Sequence, residues 1–466
     1  MSSNSHSINL HQSEIPTHSL QLPSTTTMAE QIRVVTLNCW GLKYISKDRH
    51  ERVTAIASAL ARSDYDIIAL QEIWVEADYN EIRQSVVSRL PYTKLFHSGA
   101  LGAGLAILTK WPIIATSMTP YSLVGEPTDA FGGDWFVGKG VGSVTIMHPV
   151  LGQVQLLVTH FCAKGGESGP EYNRTYRLVN AWEFAKVTRQ AAELGRYVIA
   201  MGDFNSIPTS LPVNIILNYA GLVDSWATSH AHIPPPSGML SPIEGVVNYG
   251  VTADSPLNSY RDSEPSGDPI VRKYQGKRLD YILFRHPSPN GSNDHLPRLT
   301  CRDSQVVFTD SILGNSCSYS DHFGVEATLA IDMQAEGKQD DMASLKDTSA
   351  VWFNSPSELS SNVVTEVMST FNTSYRMSQD RSRKELTIFA TSILALIGLI
   401  IGSAWVVVPW LNPVFVLLVI YLSWVATTNL YEGFIFGNWE RKALQNVIEE
   451  LELYKQILVS QAPHDW

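Results

Sequence analysis

What the sequence has little of weighs against several common classes. Four cysteines occur in 466 residues (Cys39, Cys162, Cys301 and Cys317), with no CxxC pair and no metal-like cluster. That is not a disulfide framework, and it favours a reducing compartment. Charged residues are only 17% of the chain and the net charge is -11. A nucleic-acid-binding surface needs clustered Lys and Arg to neutralise phosphates, so no nucleic acid is expected as a partner. Residues 1–30 hold no apolar run and therefore no secretory signal; rich in Ser, Thr, His and Gln, they are expected to be a disordered tail. No Gly-Lys-Ser/Thr opens a helix, so a Walker-type nucleotide loop is absent.

What is present is a strand-and-helix chain whose polar residues gather at strand ends. The length exceeds what one core usually organises, so more than one unit is expected. Ile32–Leu37 reads as a strand ending at Asn38, and Asp66–Leu70 as a buried strand ending at Gln71-Glu72. Val53, Ile56, Ala57 and Leu60 put a helix between them over 48–62, and a second helix is expected over roughly 78–90. Further strands end at His160 and at Gly202-Asp203-Phe204-Asn205, with a helix over about 174–194 before the latter. Two polar stretches, 228–268 and 286–303, read as surface insertions. Leu279–Phe284 is a strand carrying Asp280, and Ser320-Asp321-His322 precedes a last strand over 324–331. Helices alternate with strands, several of them hairpin-like, which favours an α/β sandwich of two sheets over a doubly wound parallel sheet.

These residue types fit metal-assisted hydrolysis of a phosphodiester. Asn38 and Glu72 form a sparse all-oxygen site, the kind that suits Mg²⁺ (Mn²⁺ is the alternative) and not Zn²⁺. One histidine would activate water while the second histidine and Asn205 donate to the phosphorus centre. Asp280 and Asp321 are both candidates to orient the basic histidine.

Together the motifs resemble the endonuclease/exonuclease/phosphatase family, over about residues 32–331. The resemblance implies a DNase I-like four-layer α/β/β/α sandwich. It puts the metal on Glu72 and Asn38 and the catalytic roles on His160, Asp203, Asn205, Asp280, Asp321 and His322. His322 would be the general base, oriented by Asp280, and Asp321 would lie near the metal. Within the family, Asn38-Cys39-Trp40-Gly41-Leu42, the Gly132–Gly140 loop with Asp134 and Lys139, and Glu171–Arg174 resemble the neutral sphingomyelinase and inositol phosphosphingolipid phospholipase C branch. That implies a sphingolipid substrate cut to ceramide and a phosphorylated headgroup, with an anionic phospholipid as activator and with Asp134, Lys139 and Arg174 on the substrate side. An endonuclease or an inositol-phosphate phosphatase of the same fold is the alternative. Phe131, Trp135 and Phe136 could form an interfacial loop with Lys139 reaching the lipid phosphate, or a loop packed under a hairpin.

Beyond the catalytic unit (31–332), residues 333–385 read as a linker. Residues 386–431 hold two apolar stretches broken at Asn412-Pro413, each near the length a bilayer needs. Two in tandem are expected to form a transmembrane hairpin. Its outer flanks carry Arg376, Arg381, Arg383 and Lys384 on one side and Arg441 and Lys442 on the other, whereas the turn carries no charge. Positive flanks put the catalytic unit in the cytosol, on an endomembrane (endoplasmic reticulum or mitochondrial) or the plasma membrane. Residues 432–466 are expected to hold a closing amphipathic helix, either a partner surface or a helix packed on the enzyme. No oligomeric state is assigned.

Overall fold

The computed structural model describes residues 30–129, 133–166, 169–261, 267–288, 296–333 and 358–461. Residues 1–29 of the expected tail, Phe131, and residues 334–357 of the expected linker lie outside the described residues. In chain order the first elements are β1 (Glu30–Asn38), α1 (Arg49–Ala61), β2 (Ile67–Gln71), α2 (Glu76–Val86), β3 (Tyr92–Leu95), β4 (Ala106–Thr109), β5 (Ile113–Pro120), β6 (Gly140–His148) and β7 (Gly152–His160). They are followed by α3 (Thr175–Glu193), β8 (Tyr197–Asp203), α4 (Leu211–Asn218), β9 (Val223–Asp224), α5 (Ser225–Ser229), α6 (Pro242–Tyr249), α7 (Pro269–Tyr274), β10 (Asp280–Arg285), β11 (Arg298–Val307) and β12 (Gly324–Asp332).

Two six-stranded sheets form, ordered β11-β12-β1-β2-β4-β3 and β5-β6-β7-β8-β10-β9. Successive side chains on a strand point to opposite faces, so each strand feeds two layers of core. On β1, Ile32 and Val34 face the second sheet and meet Val158, Ile199 and Met201 in one cluster. Val35 and Leu37 face outward and pack with Val53, Ile56 and Leu60 of α1 and Ile82 of α2. The outer face of the second sheet is covered in the same way, Leu157, Val198 and Ala200 packing against Leu178, Phe184 and Ile215 of α3 and α4. The layers are therefore α/β/β/α, as expected from the sequence.

Two expectations are corrected. The stretch 228–268 is not only a surface excursion: Val251, Thr252 and Ala253 are buried, and Ala253 bridges both Lys277 and His322. Part of the second insertion, from Arg298, is the edge strand β11, whose exposed polar side chains hid it.

The C-terminal part is helical. α8 (Ser361–Ser403) includes residues 361–385 of the expected linker and runs on without a break into the first apolar stretch. Val364, Val367 and Phe371 recur at helical spacing and are buried, which is why this Ser- and Thr-rich stretch is a packed helix. α9 (Asn412–Leu430) follows, then a π-helical stretch (Tyr431–Phe436), then α10 (Gly437–Gln461). Leu444, Val447 and Leu451 of α10 join the same cluster as Trp182 of α3, so the closing helix packs on the enzyme. Tyr176 donates to Glu440 at 2.6 Å and Trp182 to Glu450 at 2.6 Å, and Arg381 pairs with both Glu126 and Glu440. By length and composition α8 and the helix running from Pro409 are able to cross a membrane, and only 6% of each apolar window is buried.

Candidate active site

Strand direction brings the polar residues together. β1 and β2 run parallel with Asn38 opposite Gln71, and β7 and β8 run parallel with His160 opposite Asp203. β10 is antiparallel to β8 and begins at Asp280, opposite Asp203. β12 is antiparallel to β1, so the loop before it delivers Asp321 and His322 to the same end. Gly202 is required by close approach: a Cβ there would lie 2.1 Å from the Thr159 carbonyl oxygen, at φ 145°. Trp40, Glu72 and Asn205 adopt left-handed backbone at φ 45°, 55° and 46°, a conformation that non-glycine residues hold only when their surroundings impose it.

The centre is a pair. His322 Nδ1 lies 2.9 Å from Asp280 Oδ2, and its Nε2 lies 4.0 Å from Asp203 Oδ2. Burial alone would lower the His322 imidazole, but Asp280, Asp203 and Asp321 outweigh it and hold it well above the ordinary range. Asp203 is raised to about 7, first by burial and then by Asp280, against the pull of His322. Burial likewise raises Asp321 to about 6, with His322 opposing and Glu72 adding. The Asn38 amide nitrogen donates to Glu72 Oε1 at 3.0 Å and to Asp203 Oδ2 at 3.1 Å, while its Oδ1 accepts from the Trp40 N–H. Asn205 donates to the Phe161 carbonyl at 3.1 Å, and its backbone N–H binds Asp203.

His160 is the second histidine. Its Nε2 lies 3.5 Å from Asp203 Oδ2, 4.0 Å from Glu72 Oε1 and 3.3 Å from Lys139 Nζ. Burial, then Lys139 and His322, push it well below the usual histidine value, so it is neutral. Lys139 is buried and bonds Asp134 at 2.8 Å and the Phe161 carbonyl at 2.9 Å. The structure thus brings Asp134 and Lys139 to the site from behind His160, and a Lys139 reaching out to a lipid phosphate is not what it has. Trp135 packs edge-on against Phe436, with ring centroids 5.2 Å apart, so this side chain is packed and not interfacial, whereas Phe136 is exposed. Arg174 bonds the Gly169 carbonyl and the Glu171 carboxylate of its own loop and makes no described contact with His160, His322, Asp203, Asp280 or Asp321.

The sequence reading missed the groups that brace the site. Arg52 of α1 is buried and donates to the carbonyls of Cys39 at 2.8 Å, Trp40 at 2.6 Å and Tyr319 at 3.3 Å, with its guanidinium 4.8 Å above the Trp40 ring. It ties the loops carrying Asn38 and His322 to one helix; its only sequence signal was an arginine on an otherwise apolar helix face. Ser320 donates to the Asn38 carbonyl at 2.6 Å, and Asn258 donates to the Ser320 carbonyl at 2.9 Å.

The donor set fits a hard divalent cation. Asp203, Asp280 and His322 offer ligand atoms within 4.8 Å of one another. Asp280 Oδ1 is buried without a hydrogen-bond partner. Two carboxylates and an imidazole in this geometry could ligate a divalent cation.

The chain is 36% identical over 444 residues to the Schizosaccharomyces pombe "Inositol phosphosphingolipids phospholipase C", covering 92% of this chain and 97% of that protein. It is 32% identical over 453 residues to the Saccharomyces cerevisiae protein of the same name, covering 92% and 91%. A Caenorhabditis elegans "Putative neutral sphingomyelinase" is 33% identical over 309 residues, covering 65% of this chain and 68% of that one. The sequence profile of the Endonuclease/Exonuclease/phosphatase family matches residues 35–322, the span holding every residue of the His322 and His160 cluster, and the chain belongs to that family.

Proposed function

We propose that this protein is a membrane-tethered phospholipase C that hydrolyses the phosphodiester of inositol phosphosphingolipids to ceramide and a phosphorylated headgroup. The observation that carries the reading is the His322–Asp280 pair at 2.9 Å, set against Asp203 in a family whose full-length relatives here are sphingolipid phospholipases C. The likeness to those two relatives covers 92% of the chain, whereas that to the named sphingomyelinase covers 65%, which favours the inositol headgroup over phosphocholine.

Asp280 holds the His322 ring by Nδ1 and leaves Nε2 to take the proton of the attacking water. Asp203 faces that nitrogen and orients the water. Asn205 and His160 present polar groups to the phosphoryl oxygens, and Lys139 steadies His160 from behind. Glu72, braced by Asn38, would hold Mg²⁺, with Asp321 nearby. When bound, the ion would draw charge from a non-bridging phosphate oxygen and offset the carboxylates that raise His322.

The apolar parts of α8 and α9 would cross the bilayer as a hairpin, with both basic flanks and the catalytic domain in the cytosol. The N-terminal half of α8 packs on α3 through the same cluster as α10, so the domain would sit at the membrane surface. Tethering of this kind raises the effective concentration of a lipid headgroup at the cleft. Anionic phospholipid near Arg383, Lys384 and Lys442 would be the activating surface.

The direct check is a substrate panel with the full chain in mixed micelles: inositol phosphoceramide, sphingomyelin, duplex DNA and inositol polyphosphates. Ceramide release from inositol phosphoceramide in preference to the others is expected. Cleavage of DNA or release of inorganic phosphate in its place would move the assignment to another branch of the fold.

A further inference from the structure

A cavity of about 460 Å³ lies beside the active site, in the region the sequence presents as an insertion. That volume is within the ordinary range of small-molecule sites. Its walls leave and enter the catalytic end of the second sheet. Ile207 to Thr209 follow β8 after Asp203, and Gly276 to Arg278 lead into β10 at Asp280, and Asp203 and Asp280 are register partners. The third wall carries Val251, which packs on Phe323, the neighbour of His322.

The lining has a definite chemistry. Three aromatic side chains face it, Trp226, Tyr249 and Tyr274, with His230 stacked on Trp226 at 4.0 Å and the two tyrosine rings edge-to-face at 5.5 Å. Among the described residues its two charged members are both cations, Lys277 and Arg278, and no described carboxylate lines it. Arg278 is bonded to Asp224 at 2.7 Å and Lys277 to Asp254 at 2.9 Å, so the walls are held and close to neutral. A quaternary ammonium would meet aromatic faces here, but the carboxylates nearest it, Asp224 and Asp254, are already taken by Arg278 and Lys277. A neutral polyol ring would find aromatic faces to lie on and donors to bind its hydroxyls, while its phosphate stays at the hydrolytic cluster.

We propose that this cavity is the headgroup subsite and that it selects a cyclic polyol phosphate against phosphocholine. The inference rests on the phospholipase C reading above and names the part of the chain that sets its substrate. Lys277, Tyr274 and Tyr249 are the specificity residues; none of them belongs to the hydrolytic cluster. The region after β8 and before β10 would therefore carry headgroup choice, while Asp203, Asp280 and His322 carry hydrolysis whatever the headgroup.

The test uses the full chain with Lys277→Glu, Lys277→Met and Tyr274→Ala, each checked for unchanged thermal melting. Two readouts are taken. The first is kcat/KM on inositol phosphoceramide relative to sphingomyelin. The second is calorimetric binding of free inositol 1-phosphate and of phosphocholine. Expected is at least a tenfold fall in the inositol-to-choline ratio for Lys277→Glu and Tyr274→Ala, a smaller fall for Lys277→Met, and weakened inositol 1-phosphate binding in all three. A ratio unchanged within twofold, whether or not total activity falls, overturns the subsite. If wild type cleaves neither lipid, the phospholipase C reading fails by itself. The cavity is then judged on binding alone: inositol 1-phosphate binding that Tyr274→Ala abolishes upholds it, and no binding overturns it.

Discussion

At the residue scale the site is a set of acids crowded around one imidazole. His322 is held between Asp280 and Asp203, so removing either partner changes different things. Asp280→Asn should lower kcat by about 10²–10⁴-fold with little change in KM, because the ring loses the charged, acceptor-only carboxylate that fixes its tautomer while the cleft keeps its shape. A steady-state measurement on ceramide release separates the two; a rise in KM alone would place Asp280 in binding. A second histidine reports on stability. His286 accepts the Leu299 N–H at 2.8 Å through Nε2, and burial, then Arg298, lowers it to about 4. The fold therefore holds it neutral while the unfolded chain takes up a proton below about 6.5. Its contribution is complete above that pH and is lost as pH falls toward 4, at most about 3 kcal/mol in all. Chemical denaturation of His286→Gln between pH 7 and 4 should show a shallower acid slope than wild type; parallel slopes would contradict this.

At the element scale, what could be read from the sequence and what could not have physical reasons. Asp134 and Arg174 lie away from strand ends, but Asn38, Glu72, His160, Asp203 and Asn205 close or follow apolar runs, and Asp280, Asp321 and His322 open or lead into others. Such runs become strands whose ends aim at one place, so that cluster was legible. Its bracing was not: Arg52 acts through carbonyls of residues 39, 40 and 319, contacts that only the folded chain creates. For Lys139 and Trp135 the mix of aromatic and charged residues in their loop leaves an interfacial and a packed arrangement open, and the folded chain has the packed one. Their partners, His160 and Phe436, come from distant parts of the chain. Residues 361–385 read as linker because Ser, Thr and Asn dilute an apolar stripe that only acquires meaning opposite α3. That stripe gives a prediction. Leu451 is fully buried between α10 and α3, and Leu451→Ala should destabilise the protein by about 2–5 kcal/mol. A melting temperature equal to wild type would mean that the closing helix does not pack there in solution.

At the scale of the whole molecule, the helices that would enter the membrane begin as part of the catalytic core. Leu359, Val364, Phe371, Leu444 and Leu451 share one cluster with Phe184 and Phe204. A chain ending at residue 332 should therefore expose that face and aggregate or melt well below the full-length protein, even though every site residue remains. Retained solubility and full stability on truncation would show the two parts to be independent. The central claim, that the His322 cluster works with a hard divalent cation on a sphingolipid phosphodiester, is most directly tested by one measurement. Ceramide release from inositol phosphoceramide in anionic mixed micelles is followed for wild type and His322→Ala, each with Mg²⁺ and with EDTA. Release only from wild type with Mg²⁺, and a loss of at least about 10²-fold in the other three arms, is the expected result. Release that persists in EDTA, or in His322→Ala with Mg²⁺, would contradict it.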